Sequence, residues 1–294
     1  LPRGCKPLAD SIQGKIHPDR AVTTPSAADA PKKRRDAAVS TATNPFHDSH
    51  ASAGIASAST LAVQSLSTEE FRAAVLALEP KVAVFDCDGT LWSGDAGSAF
   101  MHWSVETGLL SREAADWLHD RYRCYKRGEV SEAGICGEMV QVYQGLREDE
   151  VRRAAAKFFA AHIERNIFPA MLALVTELQR RGTDIWAVSS TNDWVVEEGV
   201  RRFGIPATRV LAARVAIADS IVTDRLLAVP TDEGKVSSLA GAGVTAPDAV
   251  FGNSIHDAAM LAIARRAFPV NPSVGLLERA AAERWPVYLP ETVP

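Results

Sequence analysis

The four-residue apolar run Val82–Phe85 opens directly onto two carboxylates, Asp86 and Asp88, inside the stretch KVAVFDCDGTLW at 81–92. A run this short and this apolar reads as a buried strand. Two carboxylates one residue apart at its end repel each other in a low-dielectric setting. Such a pair persists when a cation lies between them or when one of them carries a proton. This one feature therefore constrains the fold and the chemistry together.

The rest of the chain supplies the surroundings of a buried strand. A capping-box pattern at Ser67 or Thr68 opens a helix that Pro80 ends. Helical spacing then runs through Ala96–Thr107, Ser111–Arg127, Ser131–Tyr143 and Glu148–Arg165 without a strand-like run, as in a small separate bundle. A helix opened by Pro169 and closed by Gly182 leads to the strand DIWAVSS (184–190), then a helix over Asp193–Phe203. RVLAARVAI and IVTDRLL read as a hairpin around Asp219–Ser220. A helix near Gly234, the strand in DAVFGNS, a helix over Ile255–Arg265, the strand AFPVN and a helix over Gly275–Arg284 complete the pattern. Strands alternating with helices imply an α/β fold: a Rossmann-like, three-layer, parallel-sheet core with an inserted helical domain. The expected organisation is a poorly ordered tail over 1–65, a core made of 66–94 and 166–294, and a helical cap over 95–165.

Composition narrows the classes. The 294 residues are 47% hydrophobic and 23% charged, as in ordinary globular proteins. The net charge of −4 hides an asymmetry, since residues 1–35 carry eight Lys/Arg against three Asp/Glu and leave −9 on the remainder. An acidic body argues against nucleic acid as a partner. PKKRR at 31–35 has the look of an anionic-surface or nuclear signal, but reads more simply as a solvated charge run. No stretch is long and apolar enough for a membrane span, and there is no secretory h-region. Cys5, Cys87, Cys124 and Cys136 form no C-x-x-C pair, so we expect free thiols in a reducing, cytoplasmic compartment. His102, His119, His162 and His256 have no metal-ligand spacing.

In open parallel sheets the ligand site lies beyond the carboxyl ends of the strands. Four such ends carry pointed residues: Asp86 and Asp88, then Ser189 and Ser190, then Lys235 at a helix start, then Asn253 and Asp257 in GNSIHD. Each has a plain reading as a turn, a helix cap or a surface lysine. Their order, each after a strand or opening a helix, favours a shared site.

The constellation resembles the haloacid dehalogenase (HAD) superfamily, and its phosphoserine-phosphatase-like branch in particular. FDCDGTL matches the family's first motif, WAVSS the second, Lys235 the third, and GNSIHD the fourth with Asn253 where Asp is usual. The resemblance spans about 81–288 and implies a C1 cap between the first two motifs. It implies Asp86 as nucleophile, Asp88 as general acid and base, and Ser189, Ser190 and Lys235 as phosphate-binding residues. It further implies Mg²⁺ held by Asp86, Asp88, Asn253 and Asp257.

The implied activity is a Mg²⁺-dependent phosphatase that hydrolyses a small phosphomonoester, phosphoserine-like or a phosphorylated amino alcohol, through an aspartyl phosphate. Alternatives are a phosphotransferase or phosphomutase, and a catalytically weak phosphometabolite-binding module. Asp95, nine residues after the nucleophile, stands where the resemblance places a contact to a substrate amino group. A carboxylate-binding arginine is sought among Arg121, Arg123 and Arg127, with Arg127 taken forward. Trp92, Trp103, Trp117, Tyr122 and Tyr125 either cage a quaternary ammonium or form the cap's own core, Trp92 being the one to watch.

Overall fold

The computed structural model describes residues 63–291. The expectations for the N-terminal tail, including the basic PKKRR run, lie almost wholly outside the described residues. At the tail's end Ser65 is a strand residue: β1 (Ser65–Leu66) pairs in parallel with β8 (Val287–Tyr288), a two-residue ladder with too little pattern to be read in advance. Ser67 then caps α1 (Thr68–Leu76) in a reciprocal capping box with Glu70.

β2 (Val82–Phe85) is central in a six-stranded sheet of order β5-β4-β3-β2-β6-β7. Its partners are β3 (Asp184–Asn192) on one side and β6 (Ala249–Gly252) on the other, both parallel to it. Beyond β3 lie β4 (Val210–Ala218), parallel, and β5 (Ile221–Ala228), antiparallel; beyond β6 lies β7 (Arg266–Pro269), parallel. The β4–β5 turn carries Asp219 and Ser220 at φ of 49° and 64°, the paired positive values that match a two-residue turn to strand twist. The strand order reverses beside β2, so the crevice of the sheet opens where Asp86 and Asp88 emerge.

The side chains of β2 alternate between two apolar cores, one on each face of the sheet. Ala83 and Phe85 join the larger cluster with Phe71, Phe251 and Phe268. Val84 joins Trp186, Val188, Val250, Leu239 and Met260 on the other face. Phe85 and Phe251 stack with centroids 4.2 Å apart. The alternation is the period-two pattern of a strand covered on both sides.

Between β2 and β3 run α2 (Ala96–Glu106), α3 (Arg112–Lys126), α4 (Glu132–Gln141), α5 (Glu148–Phe158) and α6 (Pro169–Arg180). Asp95, Ser111 and Ser131 cap the first three through their side chains, and Pro169 opens α6. The helix expected over 148–165 instead ends at Phe158 and continues as a π-turn (Phe159–Ile163) and a 3₁₀ turn (Glu164–Asn166). The widened turn sets Phe159 edge-on to Trp92 at 5.3 Å. The helical insert is not isolated: Phe100, Trp117, Leu118, Ile135, Tyr143 and Phe158 belong to the same apolar cluster as Phe85. It is also tied to the hairpin by backbone bonds Gly145 N to Val222 O, Val222 N to Leu146 O and Glu148 N to Ser220 O, each 2.9 Å.

After β3 come α7 (Asp193–Val200) and, following the hairpin, α8 (Glu233–Gly241). A 3₁₀ turn (Ile255–Asp257) and α9 (Ala258–Ala262) replace the single helix expected over 255–265, and α10 (Val274–Glu283) closes the chain before β8. Cys87 and Cys136 are free thiols, but Cys124 is disulfide-bonded, which corrects the expectation of four free cysteines. No helix among the described residues is long and apolar enough to cross a membrane.

Candidate active site

Asp86 leaves the end of β2 only 6% exposed. Its Oδ1 accepts from Lys235 Nζ at 2.7 Å and its Oδ2 from Thr90 Oγ1 at 3.0 Å. Lys235, from the first turn of α8, is itself 2% exposed and donates also to Asp257 Oδ1 at 2.5 Å and to Val188 O at 3.2 Å. The other Asp257 oxygen accepts from the amides of Asn253 and Ser254, both at 2.9 Å. One lysine thus joins the ends of β2 and β3 to the loop after β6.

Asp88 is fixed by three donors: Trp92 Nε1 at 2.6 Å, Ala96 N at 2.9 Å and Thr191 Oγ1 at 2.7 Å. Gly89, at φ of 75°, lets the turn pass under the loop after β6; a Cβ there would lie 1.9 Å from Asn253 Nδ2. Asn253 is therefore packed directly on the Asp86–Gly89 turn. Ser189 is buried and its Oγ accepts from Thr191 N at 3.1 Å, while half-buried Ser190 faces the insert beside Cys136.

The electrostatics follow from burial. Desolvation, with Asp257 close by, pushes Asp86 up to about 7 against the pull of Lys235. Desolvation and then Asp95 push Asp88 up to about 6, although three hydrogen bonds favour its ionised form. Burial opposes the charge of Lys235, but Asp257 and Asp86 outweigh it and hold the ammonium's pKa above the ordinary range. Burial first, then the two neighbouring aspartates, keep Cys87 a protonated thiol.

These residues offer hard oxygen donors to a divalent cation: the Asp86 carboxylate, the Asp88 carbonyl and the Asn253 amide oxygen. The raised Asp86 value marks a surplus of negative charge that a single lysine leaves uncompensated, and this is the electrostatic fit for Mg²⁺. Asp257 fits less well as a ligand, because Lys235 and two backbone amides already occupy both its oxygens. Its evident work is to hold Lys235 and the loop.

Of the residues singled out from sequence, Asp86, Asp88, Ser189, Lys235, Asn253 and Asp257 come together at these strand ends. Asp95 caps α2, accepting from Ser98 N at 2.8 Å, and lies near enough to Asp88 to raise its pKa. Trp92 is not a substrate-facing ring: it is wholly buried, with its N–H on Asp88 and its face against Phe159 and Phe203. Trp117 lies in the core, and Trp103, Tyr122 and Tyr125 pack against it, so the aromatic residues form packing and not a cage. Arg127 is exposed and pairs with Glu129; Arg121 pairs with Glu138, and Arg123 with Asp120. Sequence reasoning missed Thr90 and Thr191. Thr90 lies within the FDCDGTL motif, and Thr191 directly follows WAVSS, but a hydroxyl donor has no spacing of its own to betray it.

A doubly wound α/β sheet with paired carboxylates, a buried lysine and hydroxyl donors at its switch point defines a hydrolase of the phosphoryl-transfer type of site. Residues 83–262 match the haloacid dehalogenase-like hydrolase family, and the chain belongs to that family. A histidinol-phosphatase of Neisseria meningitidis serogroup C (strain 8013) is 24% identical over 217 residues, covering 70% of this chain and 97% of that protein. A solved protein of unknown function from Bordetella pertussis Tohama I is also 24% identical, with a TM-score of 0.63 over 70% of this chain and 97% of its own. A substrate-bound phosphoserine phosphatase shares the fold at 16% identity and a TM-score of 0.50, covering 72% and 93%.

Proposed function

We propose that the protein is a Mg²⁺-dependent phosphatase of small phosphomonoesters, with 66–94 and 166–294 as the catalytic core and the helices of 95–165 as a C1 cap over the site. The observation that carries this reading is the division of labour between two neighbouring carboxylates. Asp86 is bonded to a buried ammonium that offsets its charge, whereas Asp88 is held by uncharged donors and has no cation on it. That difference suits one group to attack and the other to move protons.

In this reading an Asp86 oxygen attacks phosphorus while the ester oxygen leaves with the proton of Asp88. An aspartyl phosphate forms on Asp86 and the alcohol departs. Asp88, now ionised, takes a proton from the water that attacks the acyl phosphate, and inorganic phosphate leaves with the Asp86 carboxylate restored. Thr191, Trp92 and the Ala96 amide keep Asp88 aimed throughout. Lys235, Ser189 and the turn amides stabilise the phosphoryl oxygens. A bound Mg²⁺ at Asp86, the Asp88 carbonyl and Asn253 would supply charge neutralisation of the phosphoryl group. The 24%-identical histidinol-phosphatase supports a phosphorylated amino alcohol as the substrate class.

The test is phosphate release from a panel of phosphorylated small molecules with and without Mg²⁺, using the parent and Asp86→Asn. An Asp86→Asn variant as fast as the parent would overturn the mechanism. The uncharged Asn253 favours one second reading, a phosphometabolite-binding module that turns over poorly. An inert parent that gains orders of magnitude in turnover on Asn253→Asp would decide for that reading.

A further inference from the structure

Trp92 stands at the seam where the helical insert leaves and rejoins the core. The Phe168 amide donates to the Leu91 carbonyl and the Ser93 amide to the Asn166 carbonyl, both at 3.0 Å, so the two connections are bonded to each other on either side of Trp92. The Gly89 amide donates to the Trp92 carbonyl at 2.8 Å and ties the same residue to the Asp86–Gly89 turn. Packing fixes the ring: α7 passes beside it at Gly199, where a Cβ would lie 2.7 Å from Trp92 Cη2 and 2.6 Å from Phe159 Cε2. A ring this confined holds its N–H in one direction, on Asp88 Oδ1 at 2.6 Å.

The two oxygens of Asp88 are not equivalent. Oδ1 accepts from two rigid N–H groups, Trp92 Nε1 and the Ala96 amide. Neither can accept in return, so a proton on Oδ1 would face two donor hydrogens and displace at least one of them. Among the described residues the partner of Oδ2 is of another kind, the Thr191 hydroxyl at 2.7 Å. A hydroxyl rotates about its C–O bond, so it donates to an ionised Oδ2 and accepts from a protonated one with no heavy atom moving. The hydroxyl is itself held in place. Thr191 N donates to Ser189 Oγ at 3.1 Å, and α2 comes so close at Gly97 that a Cβ there would lie 2.7 Å from Thr191 Oγ1. Asp88 is half-buried, which leaves its carboxyl within reach of an ester oxygen.

We propose that Trp92 is a positioning residue that confines the transferable proton of Asp88 to Oδ2, the oxygen partnered by Thr191. This rests on the phosphatase reading and deepens it, naming the atom that carries the proton and the residue that assigns it. In the first transfer the Oδ2–H bond breaks, its electron pair stays on Oδ2, and the proton goes to the ester oxygen as that oxygen's bond to phosphorus breaks. In the second, Oδ2 takes a proton from water as the water oxygen bonds phosphorus and the Asp86–phosphorus bond breaks. Without the indole N–H, Oδ1 keeps one fixed donor and competes with Oδ2 for the proton. The cost falls on esters whose alcohol does not leave unprotonated.

The experiment uses the full chain with Mg²⁺ and compares an alkyl ester, the faster of histidinol phosphate and 2-aminoethyl phosphate, with para-nitrophenyl phosphate, whose phenolate leaves without a proton. The readout is the alkyl-to-aryl ratio of kcat/KM, which covers the steps up to departure of the alcohol. Trp92→Phe should lower that ratio by about 10- to 100-fold. Benzothienylalanine at position 92 keeps the fused ring and exchanges the N–H for sulfur, so it should lower the ratio equally. Thr191→Val should lower it as well, and Thr191→Ser should restore it. The indole N–H proton resonance of Trp92 should move upfield in Asp88→Asn. Equal losses on alkyl and aryl esters, or a ratio that benzothienylalanine restores, overturn the proposal and leave the phosphatase reading standing, because they mark a ring that serves packing alone. A Thr191→Val variant with the parent's ratio, or an indole resonance that does not move, overturns it too. Release of phosphate by the parent from none of these esters counts against both.

Discussion

Replacing Lys235 with Met tests the electrostatic frame of the site without presupposing a substrate. Lys235 is the only described partner of Asp86 Oδ1 and of Asp257 Oδ1, at 2.7 and 2.5 Å, and it is 2% exposed. Methionine keeps the length of the side chain and removes the charge. Each carboxylate loses a charge-assisted hydrogen bond worth about 1.5–3 kcal/mol, and the pair is left with no buried cation. The sum agrees with the ~3–5 kcal/mol found when one partner of a buried ion pair is deleted. The loss must depend on pH, and its sign can be worked out. In the parent Asp86 is already raised to about 7 by burial and Asp257. Without the lysine it rises further, so the folded variant binds more protons than the folded parent above pH 7. Its stability therefore falls more steeply as pH rises, and the gap between variant and parent narrows as pH drops below 7. Urea unfolding at pH 5.5 and pH 8, followed by fluorescence of the buried tryptophans, measures both values. A difference under about 1 kcal/mol at pH 8, or one that is flat with pH, would refute the reasoning.

Three further outcomes are expected. Asp193, 6% exposed at the start of α7, has its pKa pushed up to about 6 by burial and then Glu197, and its Oδ1 has no partner. A raised folded pKa means stability present at low pH is lost as pH climbs through 4 to 6, so Asp193→Asn should stabilise by about 1–3 kcal/mol at pH 7.5 and by little at pH 4, read from Tm. Gly89→Ala would drive a Cβ to 1.9 Å from Asn253 Nδ2 at a φ of 75°, so Mg²⁺ affinity measured by calorimetry should fall by about 10-fold or more while far-UV circular dichroism stays native. Arg121 and Glu138 form a buried bidentate pair inside the insert, at 2.8 and 2.6 Å, and Arg121→Met should cost about 3 kcal/mol in unfolding free energy, partly restored by adding Glu138→Leu.

The motif KVAVFDCDGTLW carried much of this protein in one line. Apolar runs delivering carboxylates, a serine and an asparagine to a common edge announced the parallel sheet, and the sheet's central strand is the one that bears Asp86 and Asp88. Helix starts were equally legible, because Ser67, Ser111 and Ser131 cap through short-range bonds within three residues; Asp95, read in advance as a substrate contact, caps α2 in the same way. Local chemistry leaves local traces, and these are what hydrophobic periodicity and capping rules detect.

Other features had no local trace. Trp92 follows the motif in a position that invites a ligand, yet packing against Phe159 and Phe203, 67 and 111 residues away, turns it inward onto Asp88. Phe159, where α5 gives way to the π-turn, is the ring that meets Trp92. Thr191 reaches Asp88 across 103 residues, and Lys235 finds Asp86 across 149. Glu132 and His256 stand 124 positions apart and come within 3.6 Å of each other. A linear pattern records which groups each segment can offer. Which of them share a dry space, and hence which aspartate is raised and which ring is buried, depends on distances that arise only when the segments pack.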